Sequence, residues 1–182
     1  MHFSLSDLVC DIAQNACEAG SSHVLIRIGE DDSRYEFSVE DDGKGMTADE
    51  LKRAVDPFVT DGIKHPGRKV GLGLPFLIQM AEQAGGGWDI RSEKDRGTTV
   101  SAWFACDHPD LPPEGDVPAL FRSVLMFGGP SEVEIRRFRR KAGKPSLDYE
   151  LRRSELVDAL GPLDEAGSLI LLGEYLRSLE ED

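Results

Sequence analysis

Leu5, Leu8, Ile12, Ala16 and Ala19 recur at spacings of three and four, a period that predicts a helix over residues 5–19. Ser6 stands where such a helix needs an N-cap, and Gly20 where it needs a left-handed stop. The period then changes to two. Val24, Ile26 and Ile28 recur at every second position over 23–28, and Tyr35, Phe37 and Val39 form a matching run, so a hairpin is expected with residues 30–33 as its turn. Thr47 followed three residues later by Glu50 reads as a capping box that opens a helix over 48–55, ended by Asp56-Pro57. Residues 59–70 carry no period but contain Gly62, Pro66 and Gly67, the composition of a lid-like loop. Leu74, Leu77, Ile78, Ala81 and Ala84 predict a helix over 72–84 with Pro75 in its first turn. A second hairpin is expected from strands at 88–92 and 98–104.

Residues 107–115 hold three prolines and three acids and read as a linker. Beyond it come a short helix at 117–125 stopped by Gly128-Gly129, a hairpin of 132–140 with 147–153, a one- or two-turn helix capped by Ser154, and a last amphipathic helix over 163–179. The expected organisation is a first domain over 1–106, the linker, and a small α+β extension over 116–182.

Composition narrows the class. A chain of 182 residues, 40% apolar and 30% charged, has the make-up of a soluble globular protein with a sizeable core. The net charge of −13 disfavours nucleic acid and anionic membrane as partners. Cys10, Cys17 and Cys106 are odd in number and lack metal-ligand spacing, so no disulfide framework and no zinc site is expected, and Cys10 and Cys17, on one helical face, read as small core residues. No apolar run approaches the roughly 18 residues of a bilayer span, and the N-terminus lacks the basic-then-apolar order of a secretory signal. The cytoplasm is the expected compartment.

Chemistry concentrates in two glycine boxes. Asp41-Asp42-Gly43-Lys44-Gly45-Met46 closes the first hairpin, and Gly71-Leu72-Gly73-Leu74 opens a helix. A buried carboxylate at Asp41 would accept from the exocyclic amine of adenine, and would be left unpaired by the guanine carbonyl at a cost of roughly 1–3 kcal/mol. Gly43 and Gly45 let backbone approach a base, while Gly71 and Gly73 bring free N–H groups and a helix N-terminus to phosphates. Asn15 offers a neutral oxygen to Mg²⁺. Asp11, one turn earlier on the same helix face, can orient or deprotonate an attacking water.

The order of these boxes resembles the GHKL ATPase superfamily of gyrase, the ninety-kilodalton heat-shock chaperone, histidine kinases and MutL. Asp11-Ile-Ala-Gln-Asn15-Ala-Cys-Glu-Ala-Gly20 is similar to the N box, residues 40–46 to the G1 box, Asp56-Pro57-Phe58-Val59-Thr60 to the F box, and 71–74 to the G2 box. Gly86-Gly87, Ile90, Ser92, Gly97-Thr98 and Val100 resemble the strand pair that follows in histidine kinases. The resemblance spans roughly residues 5–106. It implies the Bergerat fold, a two-layer α+β sandwich with a mixed sheet and helices on one face. It also implies ATP with Mg²⁺ as cofactors, bound by Asn15, Asp41, Gly43, Gly45, Met46, Phe58, Thr60, Lys64, Gly71, Leu72, Gly73, Leu74 and Thr98. Asn15 would be the metal ligand and Asp11 the catalytic base. Many relatives carry Glu where Asp11 stands, one methylene longer, which points to slow turnover.

The expected function is therefore an ATP–Mg²⁺-binding regulatory module with slow or partner-dependent turnover, acting through a protein partner at the lid or the C-terminal extension. A serine/threonine kinase acting in trans and a non-catalytic nucleotide sensor are the alternatives. The basic side chains Arg136, Arg137, Arg139, Arg140, Lys141, Lys144, Arg152 and Arg153 on the last hairpin read either as a solvated sheet face or as a docking surface for an acidic partner or nucleic acid. The apolar stripe Leu163, Ile170, Leu171, Tyr175 and Leu179 reads as core or as a homodimer seam.

Overall fold

The computed structural model describes residues 4–56 and 73–181. Among these the chain forms six helices, α1 (Leu5–Glu18), α2 (Ala48–Val55), α3 (Gly73–Gln83), α4 (Val117–Met126), α5 (Arg153–Leu160) and α6 (Ala166–Glu180). The strands are β1 (His23–Glu30), β2 (Arg34–Asp41), β3 (Gly87–Glu93), β4 (Gly97–Ala105), β5 (Glu132–Lys141) and β6 (Lys144–Arg152). They make one mixed sheet in the order β3-β4-β2-β1-β5-β6. Every neighbouring pair is antiparallel except β1 and β5, which run parallel with Val24 opposite Val133 and Ile28 opposite Arg137.

The alternation seen in the sequence decides which face is covered. Val24, Ile26 and Ile28 of β1, Tyr35, Phe37 and Val39 of β2, Val100, Ala102 and Phe104 of β4, and Val133 and Ile135 of β5 are buried in one core with α1, α3, α4 and α6. The other face carries ion pairs such as Arg27–Glu40, Arg34–Glu36 and Arg136–Glu150. Exposed pairs of this kind add little stability, but they let that face remain in water. The result is the two-layer α+β sandwich with a mixed sheet that the motif order implies. Residues from 116 onward join this sheet and core: β5 pairs with β1, and α4 packs on α1 and α6. Leu25 is also buried, as befits a central strand flanked on both sides.

Three local expectations need correction. Ser4, not Ser6, is the N-cap of α1. Its hydroxyl accepts the Asp7 N–H at 3.1 Å and the Asp7 carboxylate accepts the Ser4 N–H at 2.9 Å, a reciprocal box that Ser6 has no acid in place to form. Ser6 instead donates its hydroxyl to the Glu114 carbonyl at 2.6 Å. Ser154 does not cap α5, because its side chain and N–H both go to Glu132. The last helix starts at Ala166, since residues 162–165 close a turn with the Glu165 N–H on the Pro162 carbonyl.

Candidate functional site

The end of β2 carries the carboxylate that the sequence singles out. Asp41 is only 9% exposed. Its Oδ1 accepts the Gly43 N–H at 2.8 Å. Burial raises its carboxyl above the usual 3.8, and hydrogen bonds from the backbones of Gly43 and Thr98 offset part of that rise. A carboxylate already desolvated and held by backbone donors is a rigid acceptor.

The glycines that follow are required by contacts. A Cβ on Gly43 would fall 2.8 Å from both the Asp41 Oδ1 and the Ala19 carbonyl oxygen. Gly45 has φ +55, and a Cβ there would lie 1.9 Å from the Glu93 carbonyl oxygen. The loop is tied on both sides. The Lys44 N–H donates to the Ala19 carbonyl at 3.0 Å, the Asp95 N–H to the Lys44 carbonyl at 2.8 Å, and the Met46 N–H to Ser92 Oγ at 2.8 Å. Ser92 also meets Thr98 Oγ1 at 2.8 Å, which sets Thr98 beside Asp41 in the β2–β4 register.

Asp42 has a different duty. Its carboxylate accepts the backbone N–H groups of Ser22 at 2.8 Å and His23 at 2.9 Å, and also the Ser22 hydroxyl. Those hydrogen bonds hold its carboxyl below the ordinary value. It braces the α1–β1 turn. Sequence reasoning missed this bracing role and that of Ser92, although two polar residues facing each other at a hairpin end, Ser92 and Thr98, are a readable signal.

On α1, Asp11 and Asn15 are both exposed and four residues apart. Gly73, the first described residue of α3, lies against Asn15, whose Nδ2 would be 3.4 Å from a Cβ built at Gly73. Thus Gly73 lies beside Asn15 where α3 packs on α1, and Asp41, Gly43, Gly45, Met46 and Thr98 are tied together at the end of β2 and the loop that follows it. Phe58, Thr60, Lys64, Gly71 and Leu72 lie outside the described residues. α2 buries no residue; its apolar side chains Leu51, Ala54 and Val55 are half-buried, and the helix lies against α3 and β3.

The basic hairpin divides in two: Arg136, Arg140, Lys141, Lys144 and Arg152 are exposed, as a solvated face requires, while Arg137, Arg139 and Arg153 turn inward. Arg137 is 1% exposed, and with Arg139 it is surrounded by Glu30, Glu114 and Glu180. Arg136 and Arg152 pair with Glu134 and Glu150. Arg153 donates to the carbonyls of Pro130 and Phe127.

Comparison with known proteins decides what this arrangement belongs to. The family described as histidine kinase-, DNA gyrase B-, and HSP90-like ATPase matches residues 3–108. The chain belongs to this ATPase family. It is similar to the sensor histidine kinase ZraS of Escherichia coli strain K12, 30% identical over 113 residues that cover 61% of this chain and 23% of ZraS. The sensor kinase CckA of Brucella abortus strain 2308 is 41% identical over 68 residues, 37% of this chain and 7% of CckA. The solved N-terminal domain of a DNA repair protein superposes with a TM-score of 0.49 at 11% identity, covering 91% of this chain and 58% of that one. The chain spans under a quarter of the length of these curated kinases. Family and relatives together identify an ATP-binding module of the histidine-kinase type. Among the described residues no helix is long and apolar enough to cross a membrane.

Proposed function

We propose that the chain is an ATP–Mg²⁺-binding regulatory module whose turnover is slow alone and set by a protein partner. The observation that carries this reading is Asp41: a buried carboxylate held by backbone N–H groups, in a loop where Gly43 and Gly45 admit no side chain. That is an acceptor suited to the adenine amine. Asn15 would hold Mg²⁺ together with phosphate oxygens and water. When bound, Mg²⁺ would neutralise phosphate charge. Among the described residues no group of three His, Cys, Asp or Glu is arranged to hold a metal. The α3 N-terminus beside Asn15 adds favourable dipole for phosphate. Calorimetry of ATP with and without Mg²⁺ tests the assignment; absence of ATP binding with Mg²⁺ present would refute it.

Two consequences are measurable at once. Asn15→Ala is expected to weaken Mg²⁺-ATP about tenfold or more while leaving adenosine affinity within twofold; equal losses for both would take Asn15 off the metal. Affinity should also depend on pH through Asp41. Its carboxyl is raised above 3.8 by burial, and the ionised form is the acceptor. Binding is therefore complete well above that raised value and falls as pH drops through it. The same acid limb should be absent in Asp41→Asn, measured by titration calorimetry from pH 8 to pH 4.5.

A second reading rests on Asp11. It is exposed one turn from Asn15, and no hydrogen bond or ion pair engages it among the described residues. A partner's serine or threonine hydroxyl could reach it, lose its proton to the carboxylate and attack the γ-phosphorus as ADP leaves. Labelled ATP mixed with candidate partners discriminates: label on the partner that disappears with Asp11→Asn supports transfer, and free phosphate alone supports the first reading.

A further inference from the structure

The last turn of α1 holds the adenine end of the site, and part of what holds that turn lies beyond the matched segment. The Ala19 carbonyl accepts the Lys44 N–H, and Ala19 is what a Cβ on Gly43 would strike. On its other side this turn touches the segment that follows α4. Gly129 has φ +111, and a Cβ there would lie 2.7 Å from the Cys17 carbonyl oxygen. Only a glycine passes so close in that left-handed conformation.

The 127–130 segment is in turn gripped by one side chain. Arg153, the first residue of α5, sends Nη1 to the Pro130 carbonyl at 2.9 Å and Nη2 to the Phe127 carbonyl at 2.8 Å. Nη2 also lies 3.5 Å from the Val124 carbonyl. Carbonyls at a helix C-terminus lack intrahelical partners, and a guanidinium satisfies several at once while its charge suits the helix end. Arg153 Nε is buried with no partner among the described residues.

We infer that Arg153 is a positioning residue for the adenine end of the ATP site. It fixes the 127–130 turn, that turn backs Cys17, and the end of α1 sets Ala19 against the loop of Gly43 and Lys44. This deepens the ATP assignment above and rests on it for the binding readout. It gives the region after residue 108 an indirect hold on nucleotide affinity.

The test uses the full chain with Arg153→Met, Arg153→Lys and Gly129→Ala, and with Glu180→Gln as a destabilised control at the opposite end of β1. Two readouts are taken well below the melting temperature: ATP and ADP affinity by calorimetry, and exchange of the Lys44 amide by NMR without nucleotide. Arg153→Met should weaken ATP and ADP alike, each about tenfold, and speed Lys44 exchange at least tenfold. Arg153→Lys should fall between, and Gly129→Ala should move both readouts in the same direction. Glu180→Gln should lower the melting temperature and leave both unchanged. Should Arg153→Met not fold, the lysine and alanine variants carry the test. Wild-type Lys44 protection with affinity within twofold in the folded Arg153 variants overturns the inference, as does an equal effect of Glu180→Gln. If the wild type binds no ATP, the nucleotide assignment fails, while the Lys44 amide still decides whether Arg153 holds the loop.

Discussion

Asp41→Asn should weaken ATP binding by roughly 10- to 150-fold, the loss of a charge-assisted hydrogen bond of about 1.5–3 kcal/mol. It should do so without lowering the melting temperature. Burial raises the Asp41 carboxyl, so the folded state favours the protonated form. A group with its folded pKa raised contributes stability below its unfolded value and loses it as pH rises through the folded one. At pH 7 the ionised carboxylate is therefore a stability cost, and a neutral asparagine removes it. The asparagine oxygen can still accept the Gly43 N–H, which keeps the loop in place. Selectivity should change too. An asparagine amide can donate to the guanine carbonyl, so the preference for ATP over GTP should shrink to a few-fold. Calorimetry with both nucleotides and a thermal melt give all three quantities. ATP affinity unchanged in the folded variant would remove Asp41 from the site; a fall in melting temperature of several degrees would make its role structural.

How much of this was legible without coordinates depends on how local each feature is. The G1 loop is legible because Asp41, Gly43 and Gly45 fall at alternate positions within five residues. The capping box of Thr47 and Glu50 is legible for the same reason, and its reciprocal bonds are present at 3.3 and 2.8 Å. The place of β5 was not. A parallel partner comes after a crossover, and nothing in residues 132–141 names β1 as its neighbour. One trace existed in β1, where Val24, Leu25 and Ile26 are three apolar residues in a row, as a central strand requires. Arg137 was illegible for a different reason. It follows Val133 and Ile135 on the inward face of β5, but the carboxylates that justify it come from positions 30, 114 and 180. No window of sequence contains the cluster, so its arginine reads as one more surface charge.

That cluster supports the largest stability effect expected of a residue away from the nucleotide. Arg137 has no exposed side-chain surface; it donates to Glu114 at 2.7 Å, Glu30 at 3.2 Å and Glu180 at 3.4 Å. Tyr149 adds a hydroxyl to Glu180. Arg137→Met would leave Arg139 alone to face three glutamates in a half-buried setting. Removing one partner of a buried ionic group costs about 3–5 kcal/mol, because the remaining charges stay desolvated. For a chain of this size that is a fall in melting temperature of roughly 6–20 °C. The backbone of Glu114 also receives the Ser6 N–H at 2.9 Å, so loosening its carboxylate frees the start of α1. The deficit should depend on pH with a definite sign. Burial already raises the Glu114 carboxyl, with Arg137 the main opposing influence. Without Arg137 it rises further, and stability present at low pH is lost as pH climbs through that higher value. The variant should therefore melt far below wild type at pH 7 and closer to it at pH 5. Adding Glu114→Gln, which removes one of the stranded charges, should restore part of the loss at pH 7 and little at pH 5. Melts of wild type, single and double variants at both pH values decide it, since a solvated surface cluster would show losses of a degree or two, independent of pH.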